Sequence, residues 1–554
     1  MARRLKHWGW GYEDEQPPYA ELQAAAAVLS GRLGFGDSDP EQPAPLSRVT
    51  LSPPRLRPPA MLASICFADN YERALHAHGR SYSDIVQGFR GRFENPPDVV
   101  AHPRTEDEVR AVLDWALSAG AAVIPFGGGT SVVGGVELPR AERYAGVVTV
   151  DMKALDRVLD VDRTSLAARI QAGATGPRLE RQLAEHGLTL RHFPQSFQFS
   201  TLGGWIATRA SGHFATLYAH IDDLVESVRA LTPIGRWESR RLPGSGAGVS
   251  PDRVLIGSEG TLGLITEAWV RVRRTPLHRA SVGVRFPDFA AGTRSVRALS
   301  QSGLYPSACR LIDAEEARLT GAGDGRHALL VLGFESADHD VEHSLAVALE
   351  CCSDHGGTRD RGGVGSAGPG SVGPGSVGRG GAGAGTEGAG RRGVESSVGS
   401  WREAFLRAPY LRDTFVAMGV LSETFETAIT WERFDGFHAS VTRATSAAAR
   451  AVCGGGFVTC RFTHVYPDGP APYYTVLAPA RRGSELEQWT EIKRAASDAV
   501  IAGGGTITHH HAVGREHRPW YDVQRPEPFA AALRAAKAAV DPLGLLNPGV
   551  LIDA

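Results

Sequence analysis

Between residues 97 and 131 the spacing of apolar positions changes twice. Asp98-Val-Val-Ala-His102 is a short apolar run of the kind that fills a buried strand. Val109, Val112, Leu113 and Ala116 then recur at helical intervals. Thr105 and Glu108 ahead of them have the spacing of a capping box, and Gly120 marks the expected stop. Ala121-Ala-Val-Ile-Pro-Phe126 is apolar again and runs straight into Gly127, Gly128 and Gly129, followed by Thr130 and Ser131. Strand, helix and strand in that order predict a βαβ unit. Its second strand ends in a tight loop whose amides can approach a phosphate with no Cβ in the way. An ordinary glycine turn has the same signature, so the loop needs support from elsewhere in the chain.

The flanking pattern supplies that support. Residues 1–93 form a lead segment with Trp8-Gly-Trp-Gly-Tyr12, an alanine-rich helix near 20–29, a proline-rich passage at 40–59 and a helical pattern at 69–78. After the glycine loop come strands at 146–150 and 165–172, and a helix at 177–186 with proline in its first turn. Two further loops rich in glycine and hydroxyls follow. One runs through Pro194, Gln195, Ser196, Phe197, Gln198, Phe199, Ser200 and Thr201, then Gly203, Gly204, Thr208, Arg209, Ala210 and Ser211. The other is Ser258, Glu259, Gly260, Thr261, Leu262, Gly263, Leu264 and Ile265, leading into a strand at 268–272. Such composition suits backbone packed against a large polar ligand. A hydroxyl-rich turn before a helix is the plainer alternative.

Beyond about residue 279 glycines thin out and elements lengthen, which predicts a second domain. The tract 356–400 interrupts it with Gly, Ser, Pro, Ala and Arg and holds no Leu, Ile or aromatic residue; most of it, about 356–398, reads as a disordered insertion. Trp401 resumes folded sequence, and an amphipathic helix at 528–540 precedes Asn547-Pro-Gly549. The expected organisation is a helical lead segment at 1–93, a cofactor domain at 94–278, a second domain at 279–508, and a C-terminal segment at 509–554 that returns to the site.

Bulk properties narrow the function. A 554-residue chain with 42% apolar and 22% charged residues is an ordinary globular sequence of several domains. A net charge of −2 supplies no basic field for nucleic acid. The cysteines at 66, 309, 351, 352, 453 and 460 form no CxxC pair, so neither a disulfide framework nor a zinc site is expected, and a reducing cytoplasm fits. The basic start lacks an apolar core for a signal peptide, no apolar run approaches the roughly 20 residues of a membrane span, and the last residues are not the peroxisomal address. The expectation is a cytoplasmic protein that touches a membrane, if at all, from one side.

Taken together, the three loops resemble the flavin-binding domain of the vanillyl-alcohol-oxidase-type flavoproteins, through their order and their spacing over about 150 residues. The resemblance implies an α+β fold: a two-subdomain FAD-binding (PCMH/VAO-type) domain, an α+β cap domain, and a C-terminal helical segment. It implies FAD as cofactor, contacted by the residues of the first loop from Pro125 to Ser131, of the second from Gln195 to Thr201 and from Thr208 to Ser211, and of the third from Glu259 to Ile265. Some relatives attach the flavin through a histidine directly after the glycines. Thr130 stands there, so non-covalent FAD is expected.

Within that superfamily the chain resembles the alkyldihydroxyacetonephosphate synthase family of ether-lipid enzymes nearly end to end. The likeness is carried by Trp8-Gly-Trp-Gly-Tyr12, the 200–211 stretch, Arg310-Leu-Ile-Asp313, Tyr410-Leu-Arg-Asp413, Ser422-Glu-Thr-Phe-Glu-Thr427, Thr463-His-Val-Tyr466 and His509-His-His511. It implies an exchange without net redox change. Flavin N5 attacks C1 of acyl-dihydroxyacetone phosphate, a fatty acid leaves, and a fatty alcohol takes its place. Lipid substrates are therefore the partners it implies; a peripheral membrane contact and a homodimer stay open.

That chemistry needs a proton-transfer group at C1, cations for phosphate and carboxylate, and an apolar tunnel. Tyr466 matches the family's acid/base tyrosine; a phenol titrating near pH 10 serves as a base only if neighbouring cations lower that value. Arg461, His464 and the three histidines are the expected sources of charge. His509, His510 and His511 could be a metal cluster, an active-site wall or chance; a wall is favoured, with His509 and His511 on one face of a strand and His510 on the other. Arg412 and Arg310 are the anion candidates, since the guanidinium fork fits phosphate and carboxylate. His192 matches a functional histidine of the family. Ala512, where the family usually has glycine, and Pro467-Asp468 depart from its pattern.

The rival is a D-2-hydroxyacid dehydrogenase of the same fold. Its relatives carry His-x-Gly-Asp-Gly-Asn-x-x-His and Gly-Glu-His-Gly, which supply metal ligands. Here those places read His464-Val-Tyr-Pro-Asp-Gly-Pro-Ala471 and Thr508-His-His-His-Ala512, without the second histidine and the glutamate, so no metal is expected.

Overall fold

The computed structural model describes residues 3–137, 142–218, 220–360 and 408–553. The strand leading to the glycine loop, Ala122–Phe126, belongs to a four-stranded sheet ordered Cys66–Phe67, Val99–Ala101, Val147–Asp151, Ala122–Phe126. The last three strands run parallel, as the βαβ pattern requires. Helix Glu106–Ser118 makes the crossover and buries Val109, Val112, Leu113 and Ala116 against Val99, Val123, Val148 and Val150. Each buried valine or leucine stabilises the layer by about 1.5–3 kcal/mol.

The helix start differs from expectation by one residue. Thr105 Oγ1 accepts the amide of Glu108, but the Glu108 carboxylate accepts from the amide of Arg104 rather than returning to Thr105.

The second subdomain is an antiparallel sheet ordered Val158–Asp162, Ala167–Gln171, Leu264–Arg271, Val225–Thr232, Gly235–Glu238. The third strand begins at Leu264, four residues earlier than the sequence pattern indicated. Ladder pairing of Leu264 with Leu231 pulls the end of the glycine loop into the sheet.

A seven-stranded sheet follows, ordered Thr358–Arg359, His278–Phe286, Ala328–Ser336, Ala308–Ile312, Phe457–Val465, Pro470–Pro479, Val420–Glu426. Long helices Trp431–Cys453 and Glu485–Ala502 cover it, burying Phe434, Phe437, Val441, Ile492, Ala496 and Val500. The first residues of the glycine-rich tract are ordered. Thr358–Arg359 pairs with His278–Phe286, and Asp360 meets Arg285 at 2.8 Å. Its remainder, and Trp401, lie outside the described residues.

Both ends of the chain are bound to these domains. Trp8 and Trp10 are buried, the amide of Trp10 donates to the Asp413 carboxylate at 3.1 Å, and a Cβ on Gly9 would strike that carboxylate at 2.5 Å. The alanine-rich helix extends over Tyr19–Leu33. After helix Glu527–Val540 the C-terminal segment joins the first sheet: Val123 N–H donates to Leu545 O, and Asn547 N–H to Val123 O. Buried Lys537 fixes the return through Thr261 O, Leu546 O and Asp541.

Candidate active site

The three glycine and hydroxyl loops meet, although they lie far apart in the chain. Their glycines let one loop lie directly against the next, with backbone on backbone at Gly128. A Cβ on Gly128 would sit 2.1 Å from Phe199 O, one on Gly127 2.3 Å from Thr201 Oγ1, and one on Gly260 2.2 Å from Pro125 Cγ. Thr201 caps helix Leu202–Thr208 by accepting the amide of Gly204 at 3.3 Å, and the Trp205 indole N–H donates to Ser200 Oγ at 2.7 Å. The Glu259 carboxylate accepts the amides of Val513 and Gly514, and Asn547 Nδ2 donates to Glu259 O and Gly135 O. Burial pushes the Glu259 carboxyl up to about 7, against the pull of those two amides.

These loops form one end of a cavity of about 720 Å³. Of the sequence-derived cofactor residues, it is lined by Pro125, Phe126, Gly127, Gly128, Gly129, Thr130, Ser131, Gln195, Ser196, Ser200, Thr201, Thr208, Ala210, Ser211, Glu259, Gly260, Gly263, Leu264 and Ile265. Among the described residues, the amides of Gly128, Gly129, Thr130 and Ser131 have no protein acceptor. The Asn547 Oδ1, on the same wall, is buried without a partner. A run of unpaired amides with a buried polar atom beside it fits the pyrophosphate and ring edge of a dinucleotide.

Six of the proposed cofactor residues do not reach this wall. Phe197 packs on Phe193 and Trp205; Phe199 packs between Trp10, Tyr12 and Tyr410. Gln198 accepts the Tyr410 hydroxyl, and Arg209 turns to Asp222. Thr261 donates its hydroxyl to Ser258 O, and Leu262 is in the core. The first loop contributes every member because its three glycines expose backbone, whereas in the second and third loops the larger side chains turn alternately to the cavity and to the core.

From the loops the cavity runs over the inner face of the seven-stranded sheet. A polar belt comes first: Ser422, Thr424, Thr459, Arg461, Tyr473 and Thr475, with Arg412 beside it. Beyond lies an apolar sleeve of Leu29, Leu33, Leu319, Leu411, Phe415 and Leu477, to which the lead helix contributes. Arg412 donates to Arg80 O and to Thr424 Oγ1, each at 3.0 Å, and among the described residues no carboxylate pairs with it. Arg461 is neutralised by Glu316 at 2.6 Å and stacks on Tyr473.

Arg310 departs from expectation. It is 2% exposed, donates to His213 O at 3.1 Å and does not line the cavity; burial pulls its guanidinium down to about 9. His192 is likewise behind the wall, against the Trp205 ring, and burial pushes it down to about 3.

The triple histidine forms a wall without a strand. Residues 509–511 make bends, and one buried carboxylate gathers them. The amides of His509, His510 and His511 all donate to Glu426, at 2.7, 2.9 and 2.8 Å. His510 and His511 therefore line the cavity, whereas His509 points inward, contrary to the two-faced strand expected. Burial opposes the charge on Glu426, but the histidines hold its carboxyl well below the usual range.

Tyr466 stands one layer behind this wall. Its hydroxyl lies 2.7 Å from His509 Nε2 and is also hydrogen-bonded to His220 Nε2. The expectation of a phenol acidified by cations fails. Burial raises the Tyr466 hydroxyl, with Glu426 and Asp468 adding to the effect, while burial pushes His464 and His509 well below their ordinary value. His464 bonds Ser211 and Gly212 O rather than the phenol. His220 and Glu426 escaped the sequence reading. The only trace was Glu426 inside the quoted 422–427 motif; nothing local marks His220.

Among the described residues His464, His509 and His510 could hold a metal ion, as could Glu72, His76 and His102, and His78, Asp84 and Glu137. In each, internal hydrogen bonds engage the cluster.

Fold and site together define a flavoprotein of the two-domain FAD-linked oxidase class. Residues 97–239 match the FAD binding domain family, and residues 275–551 the family of the FAD linked oxidases' C-terminal domain. Within that class the chain belongs to the alkyldihydroxyacetonephosphate synthase family. It is 32% identical over 488 residues to the alkyldihydroxyacetonephosphate synthase of Caenorhabditis elegans, covering 87% of this chain and 80% of that protein. It is 30% identical over 492 residues to the synthase of Trypanosoma brucei brucei, with 87% and 78% covered. A solved alkyldihydroxyacetonephosphate synthase structure superposes with a TM-score of 0.77 at 25% identity, covering 98% of each chain.

Proposed function

We propose that the chain binds FAD without a covalent link and replaces the acyl chain of acyl-dihydroxyacetone phosphate with a fatty alcohol. One observation carries this reading: a single cavity joins the dinucleotide loops, a belt with an arginine unpaired by any described carboxylate, a histidine wall and an apolar sleeve. FAD, when bound, supplies the ring nitrogen through which the family exchanges the substituent at C1; Pro125–Ser131, Ser200, Thr201, Glu259, Gly260 and Gly263–Ile265 are the residues to hold it.

The chain's own residues do the remaining work. Arg412, with Thr424 and Thr475 beside it, binds the phosphate, because a guanidinium not neutralised by a carboxylate pairs best with a dianion. Leu29, Leu33, Leu319, Phe415 and Leu477 take the alkyl chain, each buried CH₂ contributing about 0.8 kcal/mol. His510 and His511 face the reacting carbon and handle its proton, and Tyr466 receives that proton through His509. Such proton handling contributes typically about 10²–10⁴-fold.

Substrates this apolar reside in a membrane leaflet, which favours a one-sided membrane contact by a cytoplasmic protein. The described cysteines are all free, as a reducing compartment requires. Among the described residues no helix is long and apolar enough to cross a membrane.

Incubation of the FAD-loaded protein with acyl-dihydroxyacetone phosphate and labelled hexadecanol tests the assignment. Labelled ether lipid is expected. Intact FAD with no ether product, together with bleaching of the flavin by D-lactate or glycolate, would assign an oxidoreductase instead.

A further inference from the structure

The exchange has a proton balance fixed by its substrates. An alcohol enters as R–OH, and the acyl chain departs as a fatty acid that is a carboxylate at neutral pH, so each turnover frees one proton. That proton has to travel from the reacting carbon to solvent.

We propose that it leaves through a relay of His510, His509, Tyr466 and His220, with His220 as the outer terminus; this rests on the exchange reading above. The links are continuous. His510 Nδ1 lies 2.9 Å from His509 Nδ1, His509 Nε2 lies 2.7 Å from the Tyr466 hydroxyl, and that hydroxyl is bonded to His220 Nε2. The inner end lines the cavity. The outer end approaches the surface: His220 itself is only partly buried, and the side chain of Asp223, three residues on, is 56% exposed.

One arrangement of protons satisfies every link. The phenol donates to His220 Nε2, the phenol oxygen accepts from His509 Nε2–H, and His509 Nδ1 accepts from His510 Nδ1–H. Each member then gives one proton and takes one, and His510 Nε2 remains as the acceptor on the cavity-facing ring. Uptake of a proton at His510 Nε2 passes the Nδ1 proton to His509. The Nε2 proton of His509 moves to the phenol oxygen, and the phenol proton to His220 Nε2. The Nδ1 proton of His220 goes to solvent. Every N–H or O–H bond formed is matched by one broken, and no electrons are transferred.

The surrounding charges favour this direction. Glu426 Oε2 lies 3.4 Å from His510 Nδ1 and 3.8 Å from His509 Nδ1, so the positive charge in transit passes an anion. Burial holds His220 below its ordinary value, so it passes a proton on rather than keeping it; Asp222 and Asp223 ease its passing charge, while His510, Arg209 and the ring of His464 face it from the other side. Burial of Tyr466, and the carboxylates of Glu426, Asp468, Asp222 and Asp223 around it, disfavour a lasting phenolate. The phenol thus acts as a link rather than as a standing base. His220 is a positioning and relay residue, acting through Tyr466.

His220→Gln keeps a side-chain amide near the Nε2 position but no titratable nitrogen. The test follows ether-lipid formation by FAD-loaded wild type and variant in dilute buffer, in concentrated buffer and with added imidazole. The variant is expected to retain FAD and KM, to lose about ten-fold in kcat in dilute buffer, and to recover several-fold with imidazole, while wild type is indifferent. Unchanged kcat in the variant, or a loss that imidazole does not restore, would overturn the relay. Should His220→Gln shed its FAD, His220→Asn under the same three conditions decides. Wild type that forms no ether product removes the exchange reading itself, an outcome distinct from both.

Discussion

Glu426 Oε1 accepts the main-chain N–H of His510 at 2.9 Å, while Oε2 of the same carboxylate lies 3.4 Å from that residue's Nδ1. One buried acid therefore both shapes the histidine wall and balances charge on it. Thr508 donates to it as well, at 2.7 Å. Replacement by glutamine places an N–H₂ against amides that need an acceptor. Glu426→Gln is expected to lower stability by about 1.5–3 kcal/mol, the scale of a charge-assisted hydrogen bond, and to reduce exchange more than ten-fold. Chemical denaturation and ether-lipid assays check both. The carboxyl is held below its ordinary 4.5, so its stabilisation is present above that value and fades as pH falls further. The variant should lack that acid-side loss.

Tyr466→Phe removes the central link between His509 and His220 and leaves the glycine loops untouched. FAD content and absorbance should stay as in wild type, with exchange lost by at least about 10². Full turnover in this variant would contradict the role given to the phenol.

Gly128→Ala tests whether the loops must touch. The new Cβ would stand 2.1 Å from Phe199 O, a backbone atom that cannot swing aside. The first and second loops must then separate, at a cost of about 1–3 kcal/mol, and FAD affinity should fall by ten-fold or more in a fluorescence titration. Gly187→Ala is the control for a glycine outside the site, because nothing lies within 4 Å of its added Cβ, and its φ of +72° confines the cost to the backbone.

Ala512 holds φ +75°, a left-handed conformation that suits the glycine usual in the family. Its carbonyl accepts from His517 Nδ1 at 3.0 Å, which keeps the turn in place. Ala512→Gly should relieve about 1 kcal/mol of backbone strain and raise or preserve the melting temperature, with the histidine wall intact and exchange retained.

Glu259 provides the pH test. Its carboxyl rises from 4.5 to about 7, so its contribution to folding is greatest below 4.5 and is lost as pH climbs through 7. Without FAD, the melting temperature should decline across that window, and Glu259→Gln should flatten the slope while keeping an oxygen for only one of the two amides, of Val513 and Gly514, that the carboxylate now accepts.

Much of this protein was written in short stretches of sequence. Gly127 to Gly129, Ser200 to Gly204 and Glu259 to Gly263 announce their loops because backbone that packs on backbone needs small residues at those very positions. The helix Glu106–Ser118 and the parallel strands around it follow from periodicity and caps. Which side chains look inward was decided by the tertiary structure. Phe199 and Arg209 share loops with true lining residues yet face Tyr410 and Asp222. Arg310 and His192 carry the right chemistry but lie behind the wall. Tyr466 and His220 stand 246 residues apart, and Glu426 meets the histidines across 84 positions to His510. Contacts between distant segments impose no period and no spacing on either one, so only the packed chain shows that a phenol, three imidazoles and a carboxylate form one hydrogen-bonded unit.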